Sequence, residues 1–512
     1  MSFASSLDTP LLNLSAKDSF TLRDACNGVH IFGGIGSGKT SGSGKTLAGA
    51  YLRAGMGGLV LCAKPEEVNL WLDYANQHGR RRSVILFDEN GGFNFIDYEL
   101  ARQGTKGISN VTECLLRVLE AADQATGRHG GTSDQFWVDA IRQILNYTIP
   151  AIYSAYARVT VSDIIYFVSS ASTKPEQLAD DNWVAESYYA RTLRRVIENP
   201  KVPIEENARQ SLLHYWSTQY PAIPEKTRGN MVISLSTRLD RFRHGSLQKS
   251  FCGNTDIVPE MTFHGAIIIM NMPALTWNED GIIGQQLFKF MWQRAVESRN
   301  GLDKTQHERP VFLWADEAQY FTNLKDDQFL STCRGSRACV VFLTQTLPSY
   351  YAVFGRDKSD AADGLVGKFN TQIFHQNACN RTNHFASEMI GRALQLRNTT
   401  GRSTGTSQSE GLSQGSSETS GHTRGNSGYG KSGGSGENIG SNIGMGRTET
   451  FSTGASEQMD YLVQPMFFAS NLKSGGKKHG NQVSALWFKV GGHFQNAIGA
   501  KGGNTLHVTF RQ

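Results

Sequence analysis

The 512-residue chain is 39% hydrophobic and 19% charged, enough for two or three domains around a sizeable buried core. Its 51 basic and 46 acidic residues leave a net charge of +5, so bulk charge gives no argument for a nucleic-acid partner, and any such contact must come from local patches. Seven scattered cysteines without a Cys-x-x-Cys pair argue against a disulfide framework or a cysteine metal site and fit a reduced, cytoplasmic chain.

The first strong element is the apolar run GVHIF (28–32), which predicts a buried strand. It leads directly into Gly33-Gly34-Ile35-Gly36-Ser37-Gly38-Lys39-Thr40, a complete G-x-x-x-x-G-K-[ST] phosphate loop. In such loops, glycines let backbone N–H groups crowd around phosphates and the following helix adds its positive end. Gly33, Gly36, Ser37 and Gly38 are expected to form the cradle, Lys39 to reach the β- and γ-phosphates of ATP, and Thr40 to ligate Mg²⁺. A second triplet, Gly44-Lys45-Thr46, follows at once, but Lys39 stands where the pattern needs its leading glycine. Lys45 is therefore expected to be a surface lysine on the first helical turn, with a second phosphate or a DNA backbone contact as the alternative.

GLVLCA (58–63) and SVILF (83–87) read as the next strands. Arg80-Arg81-Arg82 reads as a solvated face, and Lys64 and Asp88, near strand ends, as structural. From 105 to 243 the strand pattern stops. VTECLLRVLEAA, DQFWVDAIRQILNYTIPAIYSAY, ARQSLLHYWSTQY and TRGNMVISLSTRLDRF carry apolar residues at helical spacing, which predicts an all-α domain inserted between 1–104 and 244–398. Its aromatics read as helical core. Arg191, Arg194 and Arg195 share one helix, an arrangement that suits DNA phosphates or a solvated face.

Strands resume with GAIIIM (265–270), VFLWA (311–315), ACVVFLT (338–344) and TQIFH (371–375). Strands alternating with helices predict an α/β domain with a mostly parallel sheet. VFLWA ends in Asp316, placed to anchor the water shell of Mg²⁺, and Glu317, placed to polarise attacking water as general base. ACVVFLT ends in Gln345, where a polar residue can sense the γ-phosphate. Arg334 and Arg337, in CRGSR, are candidates for an arginine delivered from a neighbouring subunit, or are solvated loop cations. Over 399–456 the composition collapses to Gly, Ser, Thr and Asn, which predicts a disordered loop. YLVQPMFF, VSALWFKV and LHVTF then return to the nucleotide-binding domain over 457–512.

In this order the pieces resemble the type IV secretion coupling proteins, the TraD/TraG-like conjugative DNA-transfer ATPases. The likeness is carried by GGIGSGKT, SVILFDENGGFNFIDYE, DQFWVDAIRQIL, TRGNMVISLSTRLDRF, VFLWADEAQ, CRGSRACVVFLTQTLPSYYAVFG and FNTQIFHQNACNRTNHFASEMIGR. It implies a RecA-like ATPase that uses ATP and Mg²⁺ and assembles as a homo-hexameric ring. DNA would run in the channel, and the relaxase-bound strand would be delivered to a secretion channel. MSFASSLDTPLLNLSAKDSF shows neither a signal peptide nor the family's membrane helices, and the best apolar stretch, GAIIIMNMPALTW, is too short to span a bilayer. Contact with the inner membrane is thus expected only through a partner. Two rival readings remain: a double-stranded DNA motor of the FtsK or HerA kind outside secretion, and an ATP-gated receptor whose helical insert docks protein substrates without translocation.

Overall fold

The computed structural model describes residues 3–125, 132–301, 307–323, 325–355, 358–415, 438–499 and 501–512. Thirteen strands are present among them: β1 (Pro10–Asn13), β2 (Ser19–Thr21), β3 (Val29–Phe32), β4 (Gly57–Leu61), β5 (Val84–Phe87), β6 (Ile267–Met270), β7 (Val311–Ala315), β8 (Ala338–Thr344), β9 (Thr371–Phe374), β10 (Arg392–Gly415), β11 (Asn438–Tyr461), β12 (Gln482–Lys489) and β13 (Thr505–Arg511). Nine of them form one sheet in the order β13-β12-β9-β3-β8-β7-β4-β6-β5. The seven strands from β9 to β5 are parallel, and β12 and β13 add antiparallel at one edge. Each of the seven apolar runs singled out in the sequence is a strand of this sheet.

The runs are continuous rather than alternating because helices cover both faces of a parallel sheet. All seven residues of β8 are buried. Each large aliphatic side chain so buried contributes about 1.5–3 kcal/mol. On one face the helix Pro65–Gln77 lays Trp71 flat on Phe312, with centroids 5.4 Å apart, and edge-on to Trp314 at 5.3 Å. Parallel connections bring the C-terminal ends of β3, β4, β7, β8 and β9 to one edge. There β3 lies between β8 and β9 while the chain's next strand, β4, lies beyond β7, a change of direction that opens a crevice.

Between β5 and β6 the described residues form helices and no strand, including Ile108–Ala125, Thr132–Tyr156, Tyr188–Glu198 and Glu225–Leu239. The aromatics of LLHYWSTQY are core: buried Trp216 meets Phe167 at 4.9 Å and Tyr220 at 4.7 Å. Of the insert's arginine trio, Arg194 pairs with Glu198 at 3.0 Å and Arg195 sits 4.9 Å over the Tyr156 ring. The helices and the sheet belong to one compact unit, running to Ile390 and resuming at Val463. No helix among the described residues is long and apolar enough to cross a membrane.

Two expectations need correction. Arg80 does not belong to a solvated face: it is buried, and its guanidinium donates to the carbonyls of Leu52, Met56 and Gly265 at 2.7–3.0 Å. Those carbonyls need donors, which a buried guanidinium supplies at low cost once every N–H is used. The segment expected to be disordered over 399–456 is, in its described parts, an antiparallel ribbon in which β10 pairs with β11 from Arg392↔Tyr461 to Gly415↔Asn438. It forms a separate unit, Gly391–Leu462. Residues 416–437 lie outside the described residues. The ribbon is possible because the two arms satisfy each other's backbone groups, which a composition argument based on apolar burial does not count.

Candidate active site

The loop after β3 turns tightly, and two glycines show why. Gly38 has φ +84°, and a Cβ there would stand 2.5 Å from Val483 Cγ2 of β12. A Cβ on Gly33 would stand 2.4 Å from Ser37 Oγ. The loop is tied to both neighbouring strands: Gly33 N–H donates to the Thr344 carbonyl at 3.2 Å and Gly34 N–H to the Gln376 carbonyl at 2.9 Å. Thr40–Gly44 then forms a π turn before the helix Lys45–Arg53 begins.

Lys39 and Thr40 meet the carboxylates of β7 directly. Thr40 Oγ1 donates to Asp316 Oδ2 at 2.7 Å, and Lys39 Nζ lies 3.6 Å from Asp316 Oδ1 and 3.5 Å from Glu317 Oε1. Glu317 is held in the left-handed region, φ 48° and ψ 49°, a conformation that costs a side-chain-bearing residue about 1–2 kcal/mol. Its carboxylate is fully engaged. Gln345 Nε2 donates to Oε1 at 2.9 Å, Lys64 Nζ to Oε1 at 3.3 Å and Gln319 Nε2 to Oε2 at 3.0 Å. Thr344 Oγ1 in turn donates to Gln319 Oε1 at 2.8 Å. Burial opposes ionisation of Glu317, but Lys39, the two glutamine N–H donors and Lys64 outweigh it and pull the carboxyl down to about 2. Beside this group lies buried Glu67, whose carboxyl is pushed up to about 8 by burial and by the charge of Asp316.

The structure therefore brings Gly33, Gly36, Ser37, Gly38, Lys39, Thr40, Asp316, Glu317 and Gln345 to one edge. Gly36, Ser37, Gly38, Lys39 and Thr40 line a cleft of 440 Å³ that continues over Ser41, Lys45, Leu70, Asp73, Tyr74, Gln77 and Gln512. Arg334 and Arg337 are not part of it. They precede β8 and so lie at the opposite, N-terminal end of the strands. Arg337 is bound within the chain, donating to the carbonyls of Ser5 at 2.7 Å and Glu308 at 2.9 Å, whereas Arg334 is exposed.

Sequence reasoning missed four residues here. Lys64, read as structural, is a second cation on Glu317. Gln319 lies inside the quoted DEAQ but received no role. His375 accepts or shares a hydrogen bond with Ser43 Oγ at 2.7 Å, and burial first, then the charge of Lys39, lowers its pKa to about 3. Asn377 Nδ2 donates to the Gln345 carbonyl at 2.7 Å. The available signal was position: each of the four closely follows the C-terminal end of a strand in a parallel sheet.

No match was found among curated protein sequences. Residues 310–426 match the sequence family described as the TraM recognition site of TraD and TraG. Among solved structures, the chain resembles the bacterial conjugative coupling protein TrwB in an unbound form, with 12% identity, 98% of this chain and 90% of that chain covered, and a TM-score of 0.54. It also resembles the plasmid coupling protein TrwB in complex with the non-hydrolysable ATP analogue ADPNP, with 14% identity, the same 98% and 90% coverage and a TM-score of 0.51. At such identity the structural likeness establishes the fold. By fold and by family match, the chain resembles the type IV coupling proteins of the RecA-like P-loop class.

Proposed function

We propose that this chain is a Mg²⁺-dependent ATPase that drives DNA through a ring of like subunits and couples relaxase-bound DNA to a type IV secretion channel. The observation that carries the reading is the convergence of the Lys39 ammonium, within 3.6 Å of both carboxylates, with the Thr40–Asp316 hydrogen bond. The relatives named above support the wider role: one was solved with ADPNP, and the matched family is described by recognition of a TraM partner.

In this reading the glycine loop holds the phosphates by its N–H groups. Thr40 Oγ1 and Asp316 are hard oxygen donors, the chemistry Mg²⁺ takes, and few protein ligands suffice because the ion keeps much of its water. Mg²⁺ would neutralise phosphate charge there. When ATP enters, Lys39 turns from the carboxylates to the phosphates. Glu317 then loses the strongest of the groups holding its proton affinity down and becomes a better base. Gln345 and Lys64 keep its carboxylate in place. Glu317 takes a proton from water, the water oxygen bonds to the γ-phosphorus, and the bond to the β-phosphate oxygen breaks, leaving ADP and phosphate. Gln345 connects to Asn377 through its carbonyl, so a shift at the γ-phosphate reaches the end of β9. For the trans arginine, Arg334 is the better candidate because Arg337 is engaged within its own chain.

The test is ATP hydrolysis by purified protein with and without DNA, beside Lys39→Ala and Glu317→Gln. DNA-stimulated hydrolysis that both variants lose is the expected result. Absence of stimulation together with wild-type rates in both variants would overturn the proposal.

A further inference from the structure

The duplicated triplet in the sequence is not duplicated in space. Gly44 N–H donates to the Lys39 carbonyl, five residues back, at 2.9 Å, so Thr40–Gly44 is a widened turn that sets the second triplet apart from the first. Every hydroxyl along TSGSGKT is held. Thr40 donates to Asp316, Ser41 Oγ accepts from Gln512 Nε2 at 2.8 Å, Ser43 meets His375, and Thr46 Oγ1 donates to the Gly42 carbonyl at 2.9 Å. Thr46 is therefore tied back to the helix and does not repeat the role of Thr40.

Lys45 differs from its neighbours. It is exposed, has no ion-pair partner among the described residues, and lines the same cleft as Lys39. It stands four residues after Ser41 and so shares its side of the turn, on the open part of the cleft, whereas Lys39 points to the carboxylates. A second group in that cleft also awaits a ligand: Ser37 is 2% exposed and its Oγ has no hydrogen-bond partner. A buried hydroxyl without a partner is destabilising, and a phosphate oxygen would satisfy it.

We propose that Lys45 is a second phosphate-binding cation for the nucleotide, acting on the phosphates that ATP and ADP share. This rests on the nucleotide reading of the site and deepens it: Lys39 serves the γ end beside the carboxylates, and Lys45 serves ground-state affinity. The contact is a point charge at an open cleft, so it is screened by salt.

The experiment titrates the full chain with ADP and with a non-hydrolysable ATP analogue at low and high salt, for wild type, Lys45→Gln and Lys45→Arg. Lys45→Gln is expected to weaken both ligands about tenfold at low salt, with the gap closing at high salt, and Lys45→Arg is expected to restore binding. In turnover, KM rises and kcat changes little, the signature of binding shared by ground and transition states. Unchanged affinity in Lys45→Gln, with normal wild-type binding, overturns this inference alone. A loss insensitive to salt and not restored by Lys45→Arg also overturns it, because it reports a distorted turn. Wild-type protein that binds neither ligand overturns the nucleotide reading and this inference together.

Discussion

The central sheet and the β10–β11 ribbon are both built from strands, yet they are stabilised in opposite ways. In the sheet, strands such as β3, β7 and β8 are buried on both faces and gain their stability from packing. In the ribbon, two 24-residue arms pair with each other over about 80 Å, and most of their described side chains are exposed. The ribbon's alternation is nevertheless ordered. Leu394, Leu396, Arg402 and Leu412 share one face with Met459, Phe451 and Ile443, while Gly401, Gly405 and Gly411 lie on the other. Regular strand patterning thus does not by itself report stability; an isolated two-stranded ribbon is marginal at best in water.

Substitutions along this contrast should range from decisive to negligible. At the sheet edge, Lys39→Ala or Glu317→Gln is expected to lower ATP turnover by at least about 100-fold, measured by phosphate release, while Phe451→Ser in the ribbon leaves it unchanged. Behind the edge, Lys289 is completely buried, donating at 2.6 Å to both Asp326 Oδ2 and the Phe321 carbonyl. Lys289→Met leaves Asp326 charged and short of a partner, and should cost about 3–5 kcal/mol in denaturant unfolding. Adding Asp326→Leu should recover part of that loss, and purely additive effects would refute the pair as a unit. Within β8, Leu343→Ala should cost about 2–5 kcal/mol, against less than about 0.5 kcal/mol for Leu396→Ala on the ribbon, both read from the unfolding midpoint. Equal costs would erase the distinction between the two regions.

A further effect is set by pH. Burial lowers the His30 pKa from 6.5 to about 3, with the ring hydrogen-bonded to Tyr350 at 2.8 Å. The unfolded chain takes up that proton first as pH falls, so stability is full above about 6.5 and declines between 6.5 and 3. His30→Phe should flatten this part of the stability profile. A profile of unchanged slope would mean that other groups set it.

Much of this was legible in the sequence because the relevant signals are local. A continuous apolar run of this length marks a buried strand of a parallel sheet, and β3, β7 and β8 bear this out. What was not legible depends on partners far along the chain. Lys64 acquires meaning only when Glu317, 253 positions later, folds against it. Arg80 looks like one of three surface cations until Gly265 supplies a carbonyl. The ribbon was misjudged for a different reason: its backbone groups pair within the segment, while composition counts only what side chains can bury.

The tight seat of Gly38 against Val483 has a consequence for biosynthesis. The wall behind the loop comes from a strand made more than 440 residues later, so a nascent chain leaving the ribosome carries the loop long before its backing exists. Competence to grip a ligand should appear late and abruptly, with emergence of the final antiparallel pair, rather than accumulate domain by domain.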